Sequence, residues 1–189
     1  ARTSITAKSK INVKLSHRNI ENAQFFTQVA DSSNAKQGYV YNTKYADATW
    51  LTIGADFSYM IKDDFKLLAE FKYHDVNLKN GDVSNFIPKI ETNINFQYLI
   101  KKKIIIDLGA KIYGQREANL TYLDKGLVNI NQTSKLKAVT DLGLQVEYRY
   151  NKKISAFVKF NNILSQEYFM YNGYPSQKFM IMGGFTFRF

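Results

Sequence analysis

Apolar residues return at every second position, in stretch after stretch, from one end of this chain to the other. The longest run sets Ala138, Thr140, Leu142, Leu144, Val146, Tyr148 and Tyr150 against Asp141, Gly143, Gln145, Glu147 and Arg149. The same period holds over 51–59, 65–73, 90–100, 104–112 and 154–160, near the start at Ile11, Val13 and Leu15, and at the end from Phe179 to Phe189. A period of two is a β-strand whose faces meet different surroundings, because successive side chains point to opposite sides. The pattern predicts about eight strands and no helix.

The connections alternate in length. Short polar turns fall at Lys62-Asp63-Asp64, Lys101-Lys102-Lys103 and Asn151-Lys152-Lys153; long polar loops lie near 31–43, 77–88, 117–135 and 162–177. Short turns on one side and long loops on the other mark a transmembrane β-barrel. Mean hydropathy is −0.33, and no run nears the roughly 18 apolar residues a membrane helix needs. A spanning strand needs only about 9–11 residues. A soluble sandwich also alternates, but its strands run about 5–6 residues, whereas these run about 10–15 with charges in mid-strand.

The expected fold is therefore all-β: an antiparallel transmembrane β-barrel over 1–189, either a complete small barrel or the C-terminal segment of a larger one. The apolar stripe is expected to face lipid. The charged stripe is expected to face the lumen: Asp56, Glu70, Lys72, Glu91, Lys111, Asp141, Glu147, Arg149, Lys159 and Arg188. Of 13 Tyr, Tyr59, Tyr98, Tyr148 and Tyr150 fall near short turns, and Tyr73 and Tyr113 near loops. Two such belts suit the two membrane–water interfaces.

Other chemistry finds little footing. The net charge of +10 is spread over turns, loops and one strand face, so no nucleic-acid partner is expected. Two distant His and no Cys argue against a metal centre, no glycine loop fits a phosphate cofactor, and no cofactor is expected. His74-Asp75 places a base beside a carboxylate, but neighbours on a strand point to opposite faces, so no enzyme and no catalytic residue are expected.

Several segments resemble the C-terminal part of TonB-dependent receptors, particularly those of Bacteroidetes-type envelopes. Val146-Glu147-Tyr148-Arg149-Tyr150-Asn151-Lys152-Lys153 is similar to the family's strand–turn–strand "YRxNK". Val158-Lys159-Phe160-Asn161-Asn162-Ile163-Leu164 is similar to its "NNL" segment, followed by Tyr168, Gly173-Tyr174-Pro175 and a strand ending at Phe189. The closing strand resembles that of outer-membrane barrels, which implies that Phe185, Phe187 and Phe189 form the signal read by the barrel-assembly machinery. The resemblance implies a place in the bacterial outer membrane, lipid as surroundings, and a role in nutrient uptake. It implies contact with TonB and a surface lipoprotein through regions outside 1–189, since no plug domain lies within them. The alternative is a standalone eight-stranded, OmpA-like barrel with a structural or surface-binding role.

Overall fold

A computed structural model describes residues 2–30, 39–62, 64–79, 86–124 and 128–189. Its strands are β1 (Arg2–Thr6), β2 (Ser9–Ala30), β3 (Tyr39–Lys62), β4 (Phe65–Leu78), β5 (Ile90–Ile100), β6 (Ile104–Tyr113), β7 (Arg116–Asp124), β8 (Val128–Leu136), β9 (Val139–Arg149), β10 (Ile154–Asn161), β11 (Phe169–Tyr171), β12 (Tyr174–Pro175) and β13 (Met180–Phe187). All but β11 and β12 join one 11-stranded sheet, ordered β13-β10-β9-β6-β5-β4-β3-β2-β7-β8, with β1 on β2. Its ladders are antiparallel, apart from one parallel bridge between Gln28 and Leu120. The expected strands are found as β2, β3, β4, β5, β6, β9, β10 and β13.

Three long loops hold more structure than expected. The stretch 117–135 is mostly the β7–β8 hairpin, paired from Arg116↔Leu136 to Asp124↔Val128. It stands on the β6–β9 ladder, which ends at Tyr113↔Val139. The sequence carries a weak period of two here, with Ala118, Leu120, Tyr122, Val128 and Ile130 at alternate positions, but the many Asn and Thr residues between them read as loop polarity. Likewise β3 begins at Tyr39 within the expected loop 31–43, and β11 pairs β12 within 162–177.

Two of the short turns differ in how well their sequences suit them. Lys101 and Lys102 take φ of 48° and 57°, with Lys103 N–H donating to Ile100 O at 2.9 Å. Two successive left-handed residues make the hairpin turn that favours Asn-Gly. A residue with a Cβ is disfavoured there by about 1–2 kcal/mol. In the Asn151-Lys152-Lys153 turn Asn151 Oδ1 accepts from Lys153 N and Ile154 N, both at 2.8 Å, so the Asn of the "YRxNK" segment holds the chain reversal; Asp63 of the third turn lies outside the described residues.

Between strands, the pleat sorts the faces cleanly. One outward row runs Tyr59, Leu67, Phe96, Leu108, Leu144, Phe160, Ile181 across seven strands. Its members are half-buried or exposed: Leu108 keeps 44% of its surface and Ile181 keeps 58%. Among the described residues no second layer covers them. The one buried apolar cluster among the described residues is small, centred on Phe25, Ala48 and Leu78. The accessible surface is 13017 Å² for 21.8 kDa, against about 9,300 Å² for a compact soluble chain of that mass. A single sheet with an uncovered apolar face needs an apolar surrounding. Among the described residues, β13 pairs only β10 and β1 pairs only β2, so the sheet is open between them.

Candidate functional site

Register, rather than any loop, assembles the polar face. Asn12, Asp56, Glu70, Asn93, Lys111 and Asp141 stand side by side across β2, β3, β4, β5, β6 and β9. The next row toward the loops carries Lys14, Gly54, Lys72, Glu91 and Tyr113. Toward the short turns, Lys66, Gln97, Asp107, Gln145 and Lys159 form another. Glu147 faces Ile105 and Phe157, and Arg149 faces Ser155. Arg188 follows β13, its N–H donating to Lys153 O at 2.8 Å. A trough of about 1250 Å³ runs along this face, lined among others by Asp56, Glu70, Asp107, Lys111, Asp141 and Lys159.

Along this polar face the charges are knitted laterally. Asp56 Oδ2 accepts from Lys14 Nζ at 2.6 Å and from Asn12 Nδ2 at 3.0 Å. Glu70 accepts from Lys72 Nζ at 2.7 Å and from Asn93 Nδ2 at 3.1 Å. Gln97 Nε2 donates to Asp107 Oδ1 at 2.9 Å, and Arg149 Nε to Glu147 Oε1 at 3.1 Å. Half-exposed pairs of this kind contribute little each. What they fix is side-chain direction, giving a face of alternating sign. Asn12, Lys14, Asn93 and Gln97 are members that sequence reasoning did not single out. The signal was their parity, which matches that of the named charges.

Tyr113 departs from its expected belt. It stands at an odd position of β6, beside Glu91, and lines the trough rather than the apolar face. Tyr59, Tyr73, Tyr98 and Tyr148 lie on apolar rows, while Tyr150 is exposed just past β9. His74 turns away from Asp75. Its Nδ1 accepts from Trp50 Nε1 at 3.3 Å and lies 3.0 Å from Thr52 Oγ1, and its Nε2 is 4.0 Å from Glu91. Asp75 instead accepts from Asn77 Nδ2 at 3.2 Å.

The loop end is tied down from several directions. Asn162, left-handed at φ 47° and buried, donates through Nδ2 to Gln166 O at 2.7 Å and Gln177 O at 2.9 Å, and its Oδ1 accepts from Gln166 N at 3.2 Å. One amide thereby joins both ends of the loop, a physical job for the second Asn of the "NNL" segment. Arg116 is 1% exposed and donates through Nη2 to Phe169 O at 2.7 Å and through Nη1 to Met170 O at 3.2 Å. Asn172 Nδ2 donates to the buried Gln28 Oε1 at 3.0 Å, and Tyr41 Oη donates to Asn172 O. Tyr41 also packs on Phe86, Tyr171 and Tyr174, with ring centroids 5.5–6.2 Å apart.

Tyr168 reaches from this loop to the trough, its hydroxyl donating to Asp141 Oδ2 at 3.0 Å. Burial, and then the Asp141 carboxylate, push the phenol up to about 12. The folded site favours the protonated form. The tether is therefore intact below about pH 10, where a free tyrosine ionises, and is lost as pH rises through about 12. An absorbance titration of wild type minus Tyr168→Phe is expected to show one phenol ionising near 12. A difference curve centred near 10 would sink the assignment.

No family model and no curated protein matches this sequence. Solved structures do. The ferripyoverdine receptor of the outer membrane of Pseudomonas aeruginosa superposes with a TM-score of 0.74 at 15% identity, covering 98% of this chain and 26% of that one. The siderophore receptor PiuA from Acinetobacter baumannii gives 0.67 at 13%, covering 98% and 27%. The ferric-catecholate import receptor Fiu from E. coli K12 gives 0.66 at 14%, covering 96% and 26%. These are TonB-dependent outer-membrane receptors, the family that the segments above resemble. The fold is theirs, an outer-membrane β-barrel sheet, and the chain spans about a quarter of their length.

Proposed function

We propose that this chain is the C-terminal part of an outer-membrane receptor-type barrel that takes up a nutrient, with no enzymatic role. The observation that carries the reading is the superposition of nearly the whole chain on about a quarter of several receptors of that kind. The open sheet speaks against the closed eight-stranded alternative, whose first and last strands would have to pair. On this reading Asp56, Glu70, Lys72, Glu91, Lys111, Asp141, Glu147, Arg149, Lys159 and Arg188 line a wet lumen, where charges of both signs act on a passing solute. Outward rings at Tyr59, Tyr73, Tyr98, Tyr148 and Tyr150 anchor the wall at its interfaces. Phe185, Phe187 and Phe189 form the row read by the assembly machinery; TonB and a surface lipoprotein act through other regions. The Bacteroidetes-type detail rests on the motifs alone.

The test is the mass of the polypeptide bearing this sequence in isolated outer membranes. A species several times 21.8 kDa is expected. A heat-modifiable barrel of 21.8 kDa would overturn the reading in favour of the small barrel.

A further inference from the structure

At its short-turn end the polar face closes in a row set by register. Arg149 N–H donates to Lys103 O at 2.7 Å, Arg149 stands against Ser155, and Ser155 against Thr186. One step further out, Arg188 N–H donates to Lys153 O at 2.8 Å. These six residues share the parity of Gln145 and Lys159, so their side chains belong to the lumen face. Together they line a recess of about 580 Å³, in which Glu147 is the one carboxylate.

Which charges are already held decides what this face can take. Every carboxylate lining the trough or the recess accepts from a donor. Asp56 accepts from Lys14, Glu70 from Lys72, Asp107 from Gln97, Asp141 from Tyr168 and Glu147 from Arg149. The cations are left over. Among the described residues, Lys111 and Lys159 in the trough have no carboxylate within ion-pair distance, nor do Lys103, Lys153 and Arg188 in the recess. The hydroxyls of Ser155 and Thr186, between the two arginines, are likewise without a partner there. A solute following the trough into the recess therefore meets free ammonium and guanidinium groups and no free carboxylate.

We propose that the recess binds the phosphate or carboxylate oxygens of a negatively charged solute. The Arg188 guanidinium offers a fork of donors that matches two oxygens of such a group. Arg149 uses Nε for Glu147 and keeps its two Nη groups. Ser155 and Thr186 add uncharged donors, and Lys103 and Lys153 add charge. Lys111 and Lys159, deeper along the same face, draw the anion toward the recess. The proposal deepens the uptake reading given above and rests on it for the solute's passage.

The test uses the full native polypeptide that carries this chain, purified from outer membranes in an uncharged detergent. Equilibrium dialysis measures binding of radiolabelled pyrophosphate and citrate, with mannitol as the uncharged control. An anion is expected to bind, less tightly as salt is added, and mannitol is not. Pyrophosphate alone would assign phosphate, and citrate alone carboxylate. Arg188→Gln with Lys153→Gln is expected to weaken binding about tenfold. Lys89→Gln with Lys178→Gln removes the same charge at the loop end and is expected to leave binding unchanged. Glu147→Gln removes the one carboxylate of the recess and frees Arg149, so it is expected to tighten binding about threefold. Binding of neither anion by the wild type overturns the site, as does binding that survives Arg188→Gln with Lys153→Gln or weakens with Glu147→Gln. The mass of the polypeptide separates this from the reading beneath it. An anion held by a 21.8 kDa barrel would keep the site and overturn the uptake reading, and a receptor several times larger that binds neither anion would do the reverse.

Discussion

Leu108→Lys is expected to remove the protein from the outer membrane, while Gly109→Lys, one residue along, is expected to leave it there. Leu108 lies in the middle of β6 on the apolar face, with Phe96 and Leu144 beside it. A lysine at the mid-depth of a lipid-facing barrel strand costs about 2–4 kcal/mol, a large share of the 5–15 kcal/mol that holds a typical fold. Gly109 points the other way. It sits between Asn95 and Gly143, and a Cβ built there meets no atom within 4 Å. Its lysine would extend into the trough, near Asp107 and Asp141. The measurement is the amount of each full-length variant in isolated outer membranes, with folding into lipid vesicles as a check outside the cell. Equal tolerance of both lysines would sink the membrane reading, because a soluble sheet leaves both faces wet.

Arg116→Met is expected to free the 166–176 loop while leaving the strand ladder intact. The Arg116 guanidinium is buried, and burial holds it below its usual range. Its partners are the carbonyls of Phe169 and Met170, and Nε has no partner among the described residues. Hydrogen bonds from a charged donor contribute about 1.5–3 kcal/mol each. Desolvation of an uncompensated cation offsets part of that, leaving about 1–2 kcal/mol of net tethering. Methionine keeps much of the volume and the contact with Met170 but donates nothing. Cleavage within 166–176 by a soluble protease is expected to quicken about tenfold, since cleavage follows the population of the open form. The heat-modifiable mobility of the barrel is expected to stay unchanged. A loop as resistant as wild type would show that Tyr41, Gln28 and Asn162 hold it without the arginine.

The strands and two of the short turns were legible in the sequence because each strand borders two different surroundings and its side chains alternate accordingly. Val139–Arg149 and Ile104–Tyr113 need nothing beyond that period. The β7–β8 hairpin was passed over because its alternation at Ala118, Leu120, Tyr122, Val128 and Ile130 is short and is interrupted by Asn, Thr and Gln, which also mark loops. The face of Tyr113 follows from its odd position in β6, beside Glu91, and nearness to a loop says nothing about it. The clamp from Arg116 to Phe169 joins residues 53 apart in sequence, and Tyr168 meets Asp141 across 27. Such pairs leave no local trace. They exist only once the ladder has set β6, β9 and β10 side by side.

Among the described residues β13 and β1 each leave one edge of the sheet unpaired, and such edges govern how a sheet can enter a bilayer. A strand the length of β13, paired on one side only, leaves about four N–H and four C=O groups without partners. In hydrocarbon each of these costs several kcal/mol, far more than the outward apolar row returns while an edge is bare. Insertion is then all-or-none: the sheet reaches lipid only together with the strands that cover β13 and β1. A half-built wall is confined to water or to the protein that holds it until its edges are covered.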